Sequence, residues 1–356
     1  MQTGNQFANQ TGYKSDEYNK LVEEAKKLPT TEAYAKYAEA EKLMLEDGYL
    51  APINQKAGAY LEKEYVSGIV NNSWGADFTY TYADVNKDDK VLNLATSSDI
   101  PTLDLSKATD QSSFQTANTT MEGLTRVDAE GKVQPGVAES WETSEDGLTW
   151  TFKLRKNSTW SNGTPVTAHD FEYSWKRTLT PETASEYSYI MADIVGSSTK
   201  EIEANGVDGV GVKALDDYTL EVKLNRPVAY FAELVSFQVF FPQNQAFVES
   251  CGDAYGSAAD KQLYNGPFTL TSWKMEDQFT MEKNPNYWDA ANVKLNKINT
   301  KVVKDTGAEV SLYEDGQIDR AGLSSDYVDK YKDSKEFHTR DVASVFMLQV
   351  NGGNNK

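Results

Sequence analysis

Residues 138–177 constrain the fold more than any other part of the chain. Within this segment Trp150, Phe152 and Leu154 alternate with polar residues, a pattern that predicts a strand with one buried face. The tripeptide Ser161-Asn162-Gly163 follows and is a strong turn signal, because Asn and Gly tolerate backbone conformations that other residues avoid. The chain is therefore predicted to leave a sheet here through a tight turn.

A helix is predicted directly after this turn. Thr167 and Asp170 can cap its first turn, and Phe171, Trp175 and Leu179 then recur at the spacing of one helical face. A second alternating run, residues 220–224, predicts another half-buried strand. Sheets with helices packed beside them predict a mixed fold of the α/β or α+β class.

Two helices are predicted near the start of the chain, over residues 15–48. Ser15 can cap the first helix, and Gly48 ends the second. The apolar residues of each helix fall on one stripe, namely Tyr18, Leu21, Val22 and Ala25 in the first and Ala33, Tyr37, Ala40 and Met44 in the second. Short strands are predicted from residue 49 onward, with residues 50–53 and 65–70 as candidates.

A polar, charged run at residues 84–90 predicts a linker. Asp84, Asn86 and Asp88 match the start of a calcium-binding loop. The sixth position of that loop, however, is Asp89, where the sharp turn of such a loop needs glycine. We therefore predict no metal site in this run.

Composition and motifs argue against several classes of function. The chain has 35 Lys and Arg against 54 Asp and Glu, a net charge of −19, which argues against nucleic acid because a phosphate backbone binds basic surfaces. Cys251 is the only cysteine, so an intrachain disulfide is excluded. His169 and His338 have no second His or Cys at metal-ligand spacing, and no nucleophile or phosphate-binding motif occurs. We predict no catalytic residue, no metal and no cofactor.

Aromatic residues are the positive signal for ligand binding. The chain has 7 Trp, 20 Tyr and 14 Phe, and such rings combine a large apolar area with a polar tip. Most of them are predicted to lie in the core. Tyr187 and Tyr189 lie in a polar loop instead and are the better candidates for lining a cleft.

Beyond residues 138–177, four further runs are distinctive in combination. They are Tyr264-Asn265-Gly266-Pro267-Phe268, Lys283-Asn284-Pro285-Asn286-Tyr287-Trp288-Asp289, Leu312-Tyr313-Glu314-Asp315-Gly316-Gln317-Ile318-Asp319 and Phe346-Met347-Leu348-Gln349-Val350-Asn351. Together these runs resemble the family 5 extracellular solute-binding proteins of bacteria, the oligopeptide-binding proteins of ABC importers. The resemblance implies a mixed α/β fold of the periplasmic-binding-protein-like class II.

The resembling parts occur in a permuted order. Residues 90–351 are similar to the N-terminal part of a family member, and residues 3–85 are similar to its C-terminal part. Most of the family's third, lid-like domain has no counterpart. The resemblance thus implies a circularly permuted chain with the lid domain largely missing. Either the chain was engineered in this form, or a second chain supplies the missing domain.

The resemblance also implies a domain map. Residues 1–48 would be a helical remnant of the third domain, and residues 49–129 with 225–351 would form the first domain. Residues 130–224 would form a smaller second domain. Residues 85–90 would be the joint between the family's C-terminal and N-terminal ends.

The implied function is a receptor that binds extended oligopeptides in a cleft between domains and presents them to an ABC permease. The implied location is extracellular, on a lipoprotein anchor, or periplasmic, with signal and anchor absent from this chain. Because much of the cleft would be missing, we expect peptide binding that is weak or that needs a partner chain. Two alternatives stay open: an oligosaccharide-binding member of the family, and a scaffold or interaction fragment.

The implied peptide site has three segments. They fall at Thr109, Gln111, Ser112, Ser113 and Phe114, at Gln55 and Lys56, and at Val345, Phe346 and Met347. In family members such segments pair with the main chain of the peptide in the manner of strands. We add Tyr187 and Tyr189 to this set as candidate lining residues.

Overall fold

The computed structural model describes residues 12–26, 28, 30–72 and 75–350, without the side chains of Thr30, Thr31, Lys56 and Ala343. Its α-helices, numbered in chain order, are α1 Asp16–Ala25, α2 Thr30–Glu46, α3 Gln111–Thr120, α4 Ala168–Leu179, α5 Thr199–Asn205, α6 Phe231–Leu234, α7 Gln245–Cys251, α8 Thr306–Glu314 and α9 Ser325–Tyr331.

The strands are β1 Leu50–Glu62, β2 Val66–Ser67, β3 Val70–Asn71, β4 Phe78–Thr79, β5 Asp84–Val85, β6 Val91–Thr96, β7 Thr125–Val127, β8 Val133–Pro135, β9 Ala138–Thr143, β10 Thr149–Leu154, β11 Val212–Asp216, β12 Thr219–Lys223, β13 Phe268–Lys274, β14 Gln278–Lys283, β15 Lys297–Val302, β16 Arg320–Leu323 and β17 Phe337–Gln349.

The chain divides into two compact units. The terminal unit consists of Met1–Ala57 and Asp341–Lys356, and the main unit consists of Gly58–Arg340. Strands β1 and β17 have residues in both units. The finer division into three domains stays a prediction.

Two four-stranded sheets dominate the main unit. One has the order β11-β12-β10-β9, and the other has the order β13-β14-β15-β6. Strand β6 runs parallel to β15, with Leu92 opposite Ile298, while the other neighbours in both sheets are antiparallel. Helices pack beside these sheets, so the predicted mixed α/β class is confirmed.

The predicted strand and helix of residues 150–179 are confirmed at the centre of the main core. Phe152 and Leu154 on β10 are buried together with Phe171 and Trp175 on α4. The Trp175 Nε1 donates to the Phe240 carbonyl oxygen at 2.8 Å, so the indole is buried without an unpaired donor. The alternation of apolar residues predicted β10 and the helical spacing predicted α4, because the residues on these periodic faces are the ones that are buried.

The terminal unit contains the two predicted helices. Ser15 caps α1, since its hydroxyl accepts the Tyr18 N–H at 3.2 Å. The predicted stripes are buried at Tyr18, Val22, Ala25, Ala33, Ala40 and Met44. Tyr37, predicted on the same stripe, is 39% exposed, so the buried stripe of α2 is interrupted between Ala33 and Ala40.

The predicted linker at residues 84–90 is partly a strand. Strand β5, which opens this run, pairs with β2 and is followed by a turn in which the Lys90 Nζ donates to the Asp84 Oδ1 at 2.8 Å. The Tyr65 hydroxyl donates to the Asp319 Oδ1 at 2.7 Å within the same unit. The predicted strand at residues 65–70 is likewise divided, into β2 and β3.

Candidate functional site

The candidate site is built around the start of helix α3. Asp110 caps this helix, because its Oδ1 accepts the Ser113 N–H at 2.9 Å. The loop after strand β6 is tied to the same turn by the hydroxyl oxygens of Ser98 and Ser112, which lie 2.8 Å apart. The residues from Thr109 to Phe114 are therefore held between a sheet and a capped helix.

A cavity of about 360 Å³, here called the aromatic cavity, lies beside this helix start. It is lined by Gly75, Thr109, Gln111, Phe114, Tyr187, Tyr189, Ile190 and Phe237. The ring centre of Phe114 lies 5.3 Å from that of Tyr187 and 5.1 Å from that of Phe237, so the three rings form a continuous wall. The volume is in the range of pockets that hold small organic ligands.

Polar groups are placed along this aromatic wall. The Gln111 Nε2 donates to the Gly75 carbonyl oxygen at 2.9 Å, which orients the side-chain amide. Tyr189 is 68% exposed, whereas Tyr187 is half-buried. Burial raises the pKa of Tyr187, and the neighbouring Tyr189 and Glu186 act in the same direction. The Tyr187 hydroxyl therefore stays protonated at neutral pH and can donate or accept a hydrogen bond.

Five of the twelve residues predicted for the site line the aromatic cavity: Thr109, Gln111, Phe114, Tyr187 and Tyr189. Ser112 shares a helix face with Gln115 and Thr116 and lines a different cavity. Ser113 lines neither cavity, because its side chain is fully buried and its hydroxyl accepts the Thr102 N–H at 3.4 Å. Its role in ligand binding stays a prediction.

The predicted pairing of a peptide along the main chain is limited by helix α3. The N–H groups of Ser113 and Phe114 already bond to Asp110, through its side chain and its carbonyl oxygen respectively. A peptide strand cannot use those two groups. The main chain at Thr109, which precedes the helix, remains the candidate for strand-like pairing.

The other five predicted residues lie in the terminal unit. Gln55 is exposed on β1, and the Lys56 side chain lies outside the described residues. On β17, Val345 and Phe346 are exposed, whereas Met347 packs against the small core that contains Tyr13 and Tyr18. Their role in ligand binding stays a prediction.

Sequence reasoning missed three lining residues of the aromatic cavity: Gly75, Ile190 and Phe237. Phe237 lies in an apolar run that is typical of the core, and it is indeed 7% exposed. Ile190 follows Tyr189 directly, so the loop of the two predicted tyrosines was the available signal. Gly75 has no side chain, and no residue pattern marks it.

Within the described ranges, no group of three or more His, Cys, Asp or Glu could hold a metal ion. None of the helices in this part of the chain is both long enough and apolar enough to cross a membrane.

Comparison with known proteins places the chain among binding proteins. A family model described as "Bacterial extracellular solute-binding proteins, family 5 Middle" matches residues 132–356. The chain is 38% identical over 249 residues to the oligopeptide-binding protein OppA of Bacillus subtilis, a match that covers 68% of this chain and 46% of that protein. It is 37% identical to the dipeptide-binding protein DppE of Bacillus subtilis, with 67% and 44% covered. The chain thus spans about half the length of the curated relatives it matches.

Solved structures agree with this comparison. The substrate-binding domain of an oligopeptide ABC transporter from Bacillus anthracis is 46% identical with a TM-score of 0.69, over 70% of this chain and 48% of that one. Listeria monocytogenes OppA bound to peptide is 41% identical with a TM-score of 0.68, over 70% and 49%. These similarities confirm the periplasmic-binding-protein-like fold.

Proposed function

The chain belongs to the family 5 bacterial extracellular solute-binding proteins, and we propose on this premise that it binds extended oligopeptides as the receptor of an ABC importer. The names of its relatives support this proposal, since they include oligopeptide-binding and dipeptide-binding proteins. The solved structure of Listeria monocytogenes OppA with a bound peptide supports it further.

The aromatic cavity is the observation that carries the proposal. Three residues predicted from the family resemblance (Thr109, Gln111 and Phe114) and two predicted from the aromatic loop (Tyr187 and Tyr189) line one cavity of about 360 Å³. A peptide side chain would pack against the wall formed by the rings of Phe114, Tyr187 and Phe237, while the peptide main chain pairs with Thr109. Rings accept many apolar side chains, so such a site combines affinity with low sequence selectivity.

The proposed role is binding and delivery without a chemical reaction. The partner would be an ABC permease, and the location would be extracellular or periplasmic. The family description supports the first location, and the periplasmic oligopeptide-binding proteins OppA of Salmonella typhimurium and Escherichia coli support the second. The same proposal includes a lipoprotein anchor in the natural protein. It also includes a second chain that completes the cleft.

We also propose that the chain order is permuted relative to the family. Supporting this, strand β1 lies between β16 and β17 in one sheet, and β2 and β5 pair just before the run that leads to β6. Residues 58–85 are thereby integrated into the same compact unit as residues 90–340.

Titration calorimetry with tripeptide to pentapeptide pools tests the proposed function, with a cello-oligosaccharide pool in parallel. We expect saturable heat with the peptides in the micromolar to millimolar range. Tyr189→Ala should weaken peptide binding about 5- to 30-fold, because truncating an aromatic contact costs about 1–2 kcal/mol. Tyr34→Ala is the matched control, since Tyr34 is 66% exposed on helix α2 and lies outside the cavity.

Each alternative outcome has a defined meaning. Heat with the cello-oligosaccharides alone would assign the chain to the saccharide-binding members and refute the peptide proposal. Heat with neither pool would refute ligand binding by this chain in the absence of a partner chain. Nanomolar peptide affinity would support the function but contradict the expectation that a missing lid weakens binding.

A further inference from the structure

A second cavity, of about 190 Å³, lies on the other face of helix α3 and is here called the hydroxyl cavity. It is lined by Asp77, Phe78, Tyr80, Leu94, Ala95, Thr96, Ser97, Ser98, Gln111, Ser112, Gln115, Thr116, Phe279, Met281 and Thr300. Its floor is the sheet face on which Thr300 lies opposite both Leu94 and Phe279. Gln111 lines this cavity and the aromatic cavity as well, so a ligand that passes Gln111 can reach both.

Two hydroxyls on largely buried lining residues have no hydrogen-bond partner within the described part of the chain. Tyr80 is 7% exposed and Thr300 is 5% exposed, and no group in the described part of the chain hydrogen-bonds to either hydroxyl. Both hydroxyl oxygens keep accessible surface, so they face the cavity, where water or a ligand can hydrogen-bond to them. Burial also raises the pKa of Tyr80, so its hydroxyl remains able to donate.

The remaining walls are apolar or already satisfied. Phe78, Leu94, Phe279 and Met281 contribute apolar surface. The Gln115 side chain is committed to the Phe78 main chain, with Nε2 donating to its carbonyl oxygen and Oε1 accepting its N–H. The uncommitted hydroxyls that a ligand would find are therefore those of Tyr80, Thr300 and the exposed Ser97.

The charge of the cavity selects against ions. Among the described lining residues Asp77 alone carries a charge, and its Oδ1 lies 3.5 Å from the Arg340 Nη2. The guanidinium groups of Arg340 and Arg320 lie over the Phe78 ring, at 4.6 Å and 4.4 Å from its centre. A charged group inside the cavity would lose its hydration without gaining a free counter-ion, which is costly.

The volume favours a single six-membered ring. A protein cavity of about 150 Å³ binds benzene, and the hydroxyl cavity is somewhat larger at about 190 Å³. The additional space and the two hydroxyls suit a ring that carries one neutral polar group.

We propose that the hydroxyl cavity is a second side-chain pocket for the peptide and binds the phenol ring of a tyrosine residue, which is neutral and has one polar tip. Neighbouring residues of the same peptide would reach the aromatic cavity. This inference rests on the proposed peptide-binding function for the identity of the ligand. The preference for a phenol over a plain or charged ring rests on the hydroxyl cavity alone.

Small aromatic probes test the pocket without a peptide. p-Cresol, toluene and p-toluate are titrated into the full chain and followed by ligand-observed NMR. We expect p-cresol to bind about fivefold more tightly than toluene, because one additional hydrogen bond is worth about that factor, and p-toluate to bind least. Thr300→Met should fill the cavity and weaken p-cresol binding at least tenfold.

Two further variants make this test specific. Thr271→Met places the same substitution on the exposed part of β13, outside the cavity, and should leave p-cresol binding unchanged. Tyr80→Phe keeps the apolar walls and should remove the preference for p-cresol over toluene, even if Thr300→Met fails to fold. Unchanged p-cresol affinity in Thr300→Met, or an unchanged preference in Tyr80→Phe, would overturn the proposal.

A tetrapeptide series separates this inference from the proposed function. Tyr and Phe are moved in turn through the four positions of an alanine background, and affinities are measured by calorimetry. We expect one position to prefer Tyr about fivefold and to lose this preference in Tyr80→Phe. If no peptide binds while p-cresol behaves as expected, the phenol pocket stands and the peptide function fails. If peptides bind without any Tyr preference, the hydroxyl cavity is not a side-chain pocket.

Discussion

Replacing Arg177 by methionine should destabilise the main unit strongly. The Nη1 and Nη2 atoms of Arg177 each lie 2.7 Å from one carboxylate oxygen of Asp104, and Asp104 is almost completely buried. Methionine keeps the apolar stem but leaves a buried carboxylate unpaired, which costs about 3–5 kcal/mol. The Lys107 Nζ, 4.0 Å from that carboxylate, offsets part of the loss, whereas the lost bond to Gln243 adds about 1 kcal/mol. We expect a total of about 4 kcal/mol.

Urea unfolding followed by tryptophan fluorescence measures this loss. With a denaturant dependence of about 3 kcal/mol/M, a loss of about 4 kcal/mol lowers the midpoint by about 1.3 M. The matched control is Arg226→Met, because Arg226 makes the same two-pronged contact with Asp193 at 2.7 Å but both side chains are about a quarter exposed. That more exposed pair should be worth about 1 kcal/mol or less.

A double-mutant cycle isolates the pair. Asp104→Asn combined with Arg177→Met should cost less than the sum of the two single changes, because the unpaired buried charge is then absent. The reasoning would be refuted if Arg177→Met destabilised the protein no more than Arg226→Met does. Additive single changes would show that the two groups do not stabilise each other.

Three further changes have defined expectations. Gly256→Ala should cost about 3 kcal/mol in urea unfolding, because Gly256 has φ +75° and an added Cβ would lie 2.3 Å from the Asp104 backbone nitrogen. Asp170→Ala should cost about 1–2 kcal/mol, since its carboxylate accepts the N-cap N–H of helix α4 at 2.7 Å. Lys90→Met should change how stability depends on acid, because the Lys90 hydrogen bond holds the pKa of Asp84 below its ordinary value. The stabilisation from the ionised Asp84 is present above about pH 3.9 and is lost as the pH falls through the lowered pKa. The difference between the urea midpoints at neutral and acidic pH should therefore be smaller in the variant.

Each of these has its own control. Gly163→Ala, at φ +86° with open space around the added Cβ, should cost only the backbone strain, and equal losses at the two glycines would contradict the steric argument. Asp208→Ala removes an almost fully exposed carboxylate and should be neutral, in contrast to Asp170→Ala. If the urea midpoints at neutral and acidic pH differ as much in Lys90→Met as in the unchanged protein, the ionisation of Asp84 does not contribute to stability.

The strands and helices with periodic apolar residues were predictable, because the residues that face the core recur at the spacing set by the backbone of a strand or a helix. Phe152 and Leu154 alternate with half-buried or exposed neighbours on β10, and Phe171 and Trp175 share one face of α4. Tyr37 shows the limit of this reasoning. Its spacing matches a buried stripe, but whether another element covers that position depends on contacts that are distant in the sequence.

The candidate site was predictable only in part. Thr109, Phe114 and Tyr187 were found through the family resemblance and the aromatic loop, and the structure brings them to one cavity. Ser113 shows that a polar residue in a predicted ligand segment can also hold a helix start against a loop.

The hydroxyl cavity had no signal in the sequence. Its walls come from β4, β6, β14, β15 and α3, which are far apart along the chain. Phe279, Met281 and Leu94 each have the alternation of ordinary core residues, so nothing local distinguishes a wall of a cavity from a filled interior. Only the packing of the assembled sheet against the helix creates the space.

The pairing of β1 with β16 sets a time scale for biogenesis. Leu61 lies opposite Ala321, and 321 − 61 gives a separation of 260 residues. A ribosome adding about 5–20 residues per second needs roughly 13–52 s to cover that distance. Throughout this interval the early strand has emerged without the later strand that completes its ladder, and loop closure of this length is slow in itself. We expect synthesis of this chain to depend on chaperones that hold the N-terminal segment open until its partner arrives.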